Sequence, residues 1–130
     1  MNLFEGESMD FKIEFYTTNS GRIPVSDFLE SLDKRMQARA LRMITLLAHN
    51  GNELRPPDSK YLIDGIFELR IKSGHDISRI LYFFYFDRKI ILTNGFIKKT
   101  PKTPKKEIEL AIRYKKDYIE QKGGDIHGRF

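Results

Sequence analysis

The apolar positions change period several times along the chain, and each change marks an element. Phe11-Lys-Ile-Glu-Phe-Tyr16 alternates apolar and polar residues, the period-two signature of a strand with one buried face. A polar stretch containing Gly21 follows, and Pro24 then opens a helix where its missing N–H does no harm. Val25, Phe28, Leu29 and Leu32 form the apolar stripe of that helix. Asp33 is placed to cap a second helix with Met36, Ala40, Met43, Ile44 and Leu47 on its stripe, and His49-Asn50-Gly51 stops it. The spacing predicts an αα-hairpin from Pro24 to His49.

Pro56-Pro57 makes Asn52 to Ser59 a loop, Tyr61 and Leu62 are expected to start a short strand, and Asp64-Gly65 is a turn signal. In the strand from Ile66 to Ile71, Phe67, Leu69 and Ile71 share one face, so Glu68 and Arg70 share the other. A loop around Gly74 leads to a long strand over Ile77–Phe86, a tight turn at Asp87-Arg88 and an antiparallel partner over Lys89–Ile97. Thr103 is positioned to cap a last helix with Pro104 in its first turn and Ile108, Ala111, Ile112 and Ile119 on its apolar side. The order β-α-α-β-β-β-α predicts a compact α+β domain: an antiparallel sheet of three to four strands, an N-terminal αα-hairpin and a C-terminal helix, with the helices on one face.

At 130 residues, with ten Phe and six Tyr, the chain suits one domain with a real core. The absence of cysteine excludes disulfides, thiolate metal sites and cysteine nucleophiles. It fits a reducing compartment, and the expectation is a cytoplasmic protein. No stretch approaches the roughly 18 apolar residues of a membrane span. The three scattered histidines, His49, His75 and His127, lack metal-ligand spacing, so neither metal nor cofactor is expected. Net charge is +5, and its distribution matters more than its size. Residues 1–10 carry Glu5, Glu7 and Asp10 without a base, whereas Lys98 to Lys106 carries five lysines without an acid. Arg70, Arg79, Lys98 and Lys99 fall on or at the ends of the last three strands, and Lys102, Lys105 and Lys106 follow. Such a cluster suits a polyanion or a reacting phosphate.

Five segments in order carry a recognisable pattern: Gly21-Arg-Ile-Pro-Val-Ser-Asp-Phe-Leu29, Pro57-Asp-Ser-Lys60, Asp64-Gly-Ile-Phe-Glu-Leu-Arg70, Ser78-Arg-Ile-Leu-Tyr-Phe-Phe84 and Gly95-Phe-Ile-Lys-Lys-Thr-Pro-Lys-Thr-Pro104. They resemble the phage-derived Gp49-like branch of the RelE/ParE toxin superfamily, which includes HigB-type toxins. The resemblance divides the chain into an acidic extension at 1–10, a RelE/HigB-like toxin domain at 11–120 and a flexible tail at 121–130. It implies a toxin of a type II toxin-antitoxin module: a metal-independent endoribonuclease that cuts mRNA on the ribosome. It also implies partners: a helix-turn-helix antitoxin of HigA type, the ribosome and its mRNA, and operator DNA through the antitoxin complex. No membrane partner is expected.

Attack of a 2′-hydroxyl on its own phosphate needs a group for the 2′ proton, donors for the phosphorane oxygens and an acid for the leaving 5′-oxygen. The resemblance places Arg70 at the phosphate, where a planar guanidinium clamps two oxygens; the alternative is a surface pair with Glu68. Arg79 is the second candidate, its alternative a structural ion pair with Glu68. Of Lys98 and Lys99, alternation turns only one toward the cleft, and the resemblance favours Lys99. Lys60 aligns with a basic residue that acts on the 2′ proton. Lys98, Lys102, Lys105 and Lys106 are candidates for RNA-backbone contact. Tyr114, Tyr118 and His75 are the remaining candidates for the proton to the leaving group, and none is assigned. Two other functions share the fold or the charge: a ParE-like gyrase inhibitor and a non-catalytic nucleic-acid-binding module.

Overall fold

The computed structural model describes residues 10–123. The extension expected at 1–10 thus lies, but for Asp10, outside the described residues, as do His127 and the tail beyond Gly123. Five strands form one sheet: β1 (Lys12–Phe15), β2 (Ser59–Ile63), β3 (Ile66–Ser73), β4 (Asp76–Tyr85) and β5 (Lys89–Ile97), in the order β1-β5-β4-β3-β2. The helices are α1 (Pro24–Ser31), α2 (Lys34–Asn50) and α3 (Lys105–Gly123).

The sheet corrects the expectation in number and direction. Ser59–Ile63 is a full strand, antiparallel to β3, and β1 pairs parallel with β5, Lys12 opposite Lys89 and Phe15 opposite Leu92. The sheet is therefore mixed. β1 and β5 are distant in sequence, so their parallel pairing is set by packing and carries no local signal.

Helix placement is a second correction. The hairpin covers one face and α3 covers the other. Leu69, Ile71, Ile80, Tyr82, Ile90 and Leu92 pack with Val25, Leu29, Met36, Ala40, Ile44 and Leu47 of α1 and α2. The alternate positions Ile66, Leu81, Phe83 and Ile91 pack with Ala111 and Tyr118 of α3. The unbroken apolar run from Ile80 to Tyr85 is the pattern of a strand buried on both faces.

The local signals for the hairpin hold. The Asp33 carboxylate accepts from the Met36 N–H at 2.8 Å, satisfying an orphan donor of α2. Gly51 ends α2 at φ +52°, with the Phe11 ring packed where a Cβ would stand. β3 and β4 run closer together than expected, leaving only Gly74 and His75 between Ser73 and Asp76. Lys72 therefore belongs to a strand and not to a loop. α3 continues to Gly123, into the stretch expected as tail.

Candidate functional site

The antiparallel register sets Arg70 directly opposite Arg79. Like charges in that position repel. Glu68, two residues before Arg70 on the same face, offsets the repulsion. Its Oε1 accepts from Arg70 Nε at 3.1 Å and lies 3.3 Å from Arg79 Nε. The Glu68 and Arg79 side chains are only 3% and 4% exposed, whereas that of Arg70 is 25% exposed. One buried carboxylate thus holds two guanidinium groups, one of them at the surface. Arg79 Nη1 also donates to the Ser78 carbonyl at 3.2 Å, while its Nε has no well-aligned hydrogen bond among the described residues. Burial, and then the charge of Arg70, pull the Arg79 pKa down against the pull of Glu68. The guanidinium stays protonated regardless.

The other carboxylate oxygen of Glu68 accepts from Thr103 Oγ1. That hydroxyl, expected to cap α3, is therefore engaged by the sheet, and it ties the segment before α3 to the arginine pair. Asn94 Nδ2 anchors the first turn of α3 from below, donating to the Glu107 carbonyl at 3.2 Å and to its side chain at 3.1 Å.

Lysines complete the face. Lys98 N–H donates to the Ile77 carbonyl at 2.8 Å, which continues the β4–β5 ladder one residue past β5. Lys98 is half-buried as a residue, and its ammonium titrates below the ordinary lysine value of 10.5. Burial is the main cause. The charges of Arg79, Arg70 and Lys72 add to it, and Glu68 opposes. Lys99 is exposed, one residue further on. Of the pair, Lys98 is the one whose charge interacts with Arg79, Arg70, Lys72 and Glu68, as strand alternation continued past Ile97 would place it. Lys60 sits directly across from Glu68 on β2, exposed. Lys102, Lys105 and Lys106 are exposed around the start of α3.

Two contributors escape a reading from sequence. Lys72, two residues beyond Arg70 on the same face, was hidden by its expected place in a loop, although alternation from Glu68 and Arg70 points to it. Glu68 is legible as a pairing partner but not as the shared anchor of both arginines, which depends on register. Lys72 and Arg70 also line a cleft of about 230 Å³ with Arg39, Arg42, Met43, Pro57 and Asp58. Tyr114 and Tyr118 belong to packing: Tyr114 stacks on Tyr16 at 4.5 Å, and buried Tyr118 meets Phe83 and Tyr85 edge-on. His75 is exposed in the β3–β4 turn. No group of three or more His, Cys, Asp or Glu that could hold a metal ion occurs among the described residues. No described helix is long and apolar enough to cross a membrane.

Fold and face together define a small α+β domain with a sheet-borne cationic site anchored on one buried carboxylate. The family model described as Phage derived protein Gp49-like matches residues 27–116, and the chain belongs to that family. The match spans every candidate from Lys60 to Lys106. Comparison with curated proteins gives no match.

Proposed function

We propose that the chain is a HigB-type toxin of the RelE/ParE superfamily, a metal-independent endoribonuclease that cuts mRNA on the ribosome. The observation that carries this reading is the pairing of Arg70 and Arg79 on the single carboxylate of Glu68 with Lys98 beside them, Lys60 and Lys72 extending the same face. A face so charged favours a phosphodiester over a neutral ligand. Partly exposed Arg70, its Nε held by Glu68, clamps the non-bridging oxygens of the scissile phosphate. Arg79 lies beneath and positions Glu68 while adding positive potential. Lys98, its pKa lowered by burial and by its cationic neighbours, takes the 2′ proton in its neutral form, and Lys60 is the second lysine within the row. The 2′-oxygen bonds to phosphorus and the P–O5′ bond breaks. The products are a 2′,3′-cyclic phosphate and a 5′-hydroxyl, the latter protonated by water or a lysine ammonium. Lys99, Lys102, Lys105 and Lys106 contact RNA backbone around the entrance.

A helix-turn-helix antitoxin of HigA type neutralises the toxin, and operator DNA is met only through that complex. The test is a cell-free translation reaction in which cuts in a translated messenger are mapped by primer extension. Discrete cuts with the wild-type chain that disappear with Arg70→Ala are expected. Intact messenger and normal translation would overturn the reading and redirect the search to gyrase inhibition or passive nucleic-acid binding.

A further inference from the structure

Helix α2 contains Lys34, Arg35, Arg39 and Arg42 and no acidic residue. Arg35, Arg39 and Arg42 fall on one stripe, are exposed, and form no ion pair with any other described residue. The arrangement works against the helix. Lys34 and Arg35 in the first turn oppose its dipole, and the arginines repel one another at spacings of one turn. Arg39 and Arg42 wall the cleft that holds Arg70 and Lys72, and a neighbouring recess is lined by Arg35, Ala38, Arg39, Arg42 and Ser73. On that side the ladder ends where Arg70 N–H donates to the Asp58 carbonyl at 2.9 Å, and beyond Arg70 the β3 edge has no strand partner among the described residues. A mostly positive track, with Asp58 as the acid in its lining, thus runs from Arg70 past the edge of β3 and along α2.

We infer that this track is a second RNA subsite, binding the phosphodiester backbone of the strand as it leaves the reacting phosphate, Arg42 and Arg39 first and Arg35 last. The inference rests on the RNA reading of the Arg70 face. Arginine and serine in an open recess are the side chains that meet phosphate oxygens. A protein partner needs a desolvated apolar anchor; the recess shared by the three arginines offers only Ala38, while Met43 and Pro57 line the cleft and Leu41 and Leu46 the adjoining patch.

The test compares wild type with the Arg35→Gln/Arg39→Gln/Arg42→Gln variant. The probe is a fluorescein-labelled single-stranded RNA whose 2′-hydroxyls are methylated, so that it binds without being cut. Anisotropy titrations at several salt concentrations give the slope of log affinity against log salt. Three lost phosphate contacts at about 0.7 each make the variant's slope shallower by about 2. The variant's melting temperature is not lowered, because only repelling charges are removed. An unchanged slope overturns the inference, as does failure of the wild-type chain to bind the probe at low salt. Displacement of RNA by polyglutamate that the three glutamines abolish, with the RNA slope unchanged, assigns the stripe to an acidic protein and equally overturns it. A shallower slope supports the subsite even where messenger is not cut, so this inference and the nuclease reading fail separately.

Discussion

Replacing Glu68 by Gln removes the carboxylate that Arg70 and Arg79 share. Arg79, 4% exposed, is left as a buried cation without its counter-ion and opposite a second cation. Removing one partner of a buried ion pair costs about 3–5 kcal/mol. The amide oxygen still accepts from one arginine, which returns about 1 kcal/mol. The net loss is then about 2–4 kcal/mol, a large share of the roughly 6–20 kcal/mol usual for a chain of this size. Urea unfolding at neutral pH reads it as a midpoint lower by about 1–2 M. Arg79→Met removes the stranded charge, so Glu68→Gln/Arg79→Met should be less destabilised than the sum of the single changes, by about 1–3 kcal/mol. A Glu68→Gln variant within about 0.5 kcal/mol of wild type, or strictly additive losses, would refute the view that this carboxylate holds both arginines.

Further predictions concern the proton, the seam to α3 and the end of α2. Lys98 titrates below 10.5, so cleavage should rise with pH through an inflection below that value. Lys98→Arg, which cannot deprotonate, should lose the inflection and about 10²–10⁴ in rate; an unchanged pH profile removes Lys98 from the proton's path. The same depressed pKa means that the folded chain binds fewer protons than the unfolded one between the two values. Stability should therefore climb as pH rises through that window, and Lys98→Met should flatten the climb in urea titrations. Tyr16 donates to Asp117 at 2.5 Å, and Tyr16→Phe should cost about 1.5–3 kcal/mol at neutral pH. Burial, and then Asp117, raise the phenol's pKa above its usual 10.0, so this contribution is whole below 10.0 and is lost as pH rises through the folded value. The gap between wild type and Tyr16→Phe should narrow in alkaline urea melts. Gly51→Ala forces a side chain into positive φ and against the Phe11 ring, and thermal melts should show a loss above about 2 kcal/mol.

Much of this architecture is legible in the chain because local chemistry decides it. Asp33, Pro24 and Gly51 set the hairpin's limits, and alternation correctly puts Glu68 and Arg70 on the face away from Phe67, Leu69 and Ile71. What escapes is non-local. The parallel β1–β5 seam joins residues far apart in sequence, and no periodicity of either strand announces it. Placing α3 opposite the hairpin needed the Ile80–Tyr85 run to be read as burial on both faces. At the site, Arg70 and Arg79 are visible as strand cations, but their direct opposition and shared carboxylate follow only from the register. Lys72 is obscured because β3 runs on to Ser73, two residues past the end that the Gly74 signal suggests.

The most direct test of the nuclease reading is the chemistry of the ends left on a translated messenger by the wild-type chain. A 2′,3′-cyclic phosphate on the upstream fragment and a 5′-hydroxyl on the downstream one, both absent with Arg70→Ala, are predicted. A 3′-hydroxyl with a 5′-phosphate, or messenger that stays whole while translation continues, would contradict internal 2′-hydroxyl attack at the Arg70 face.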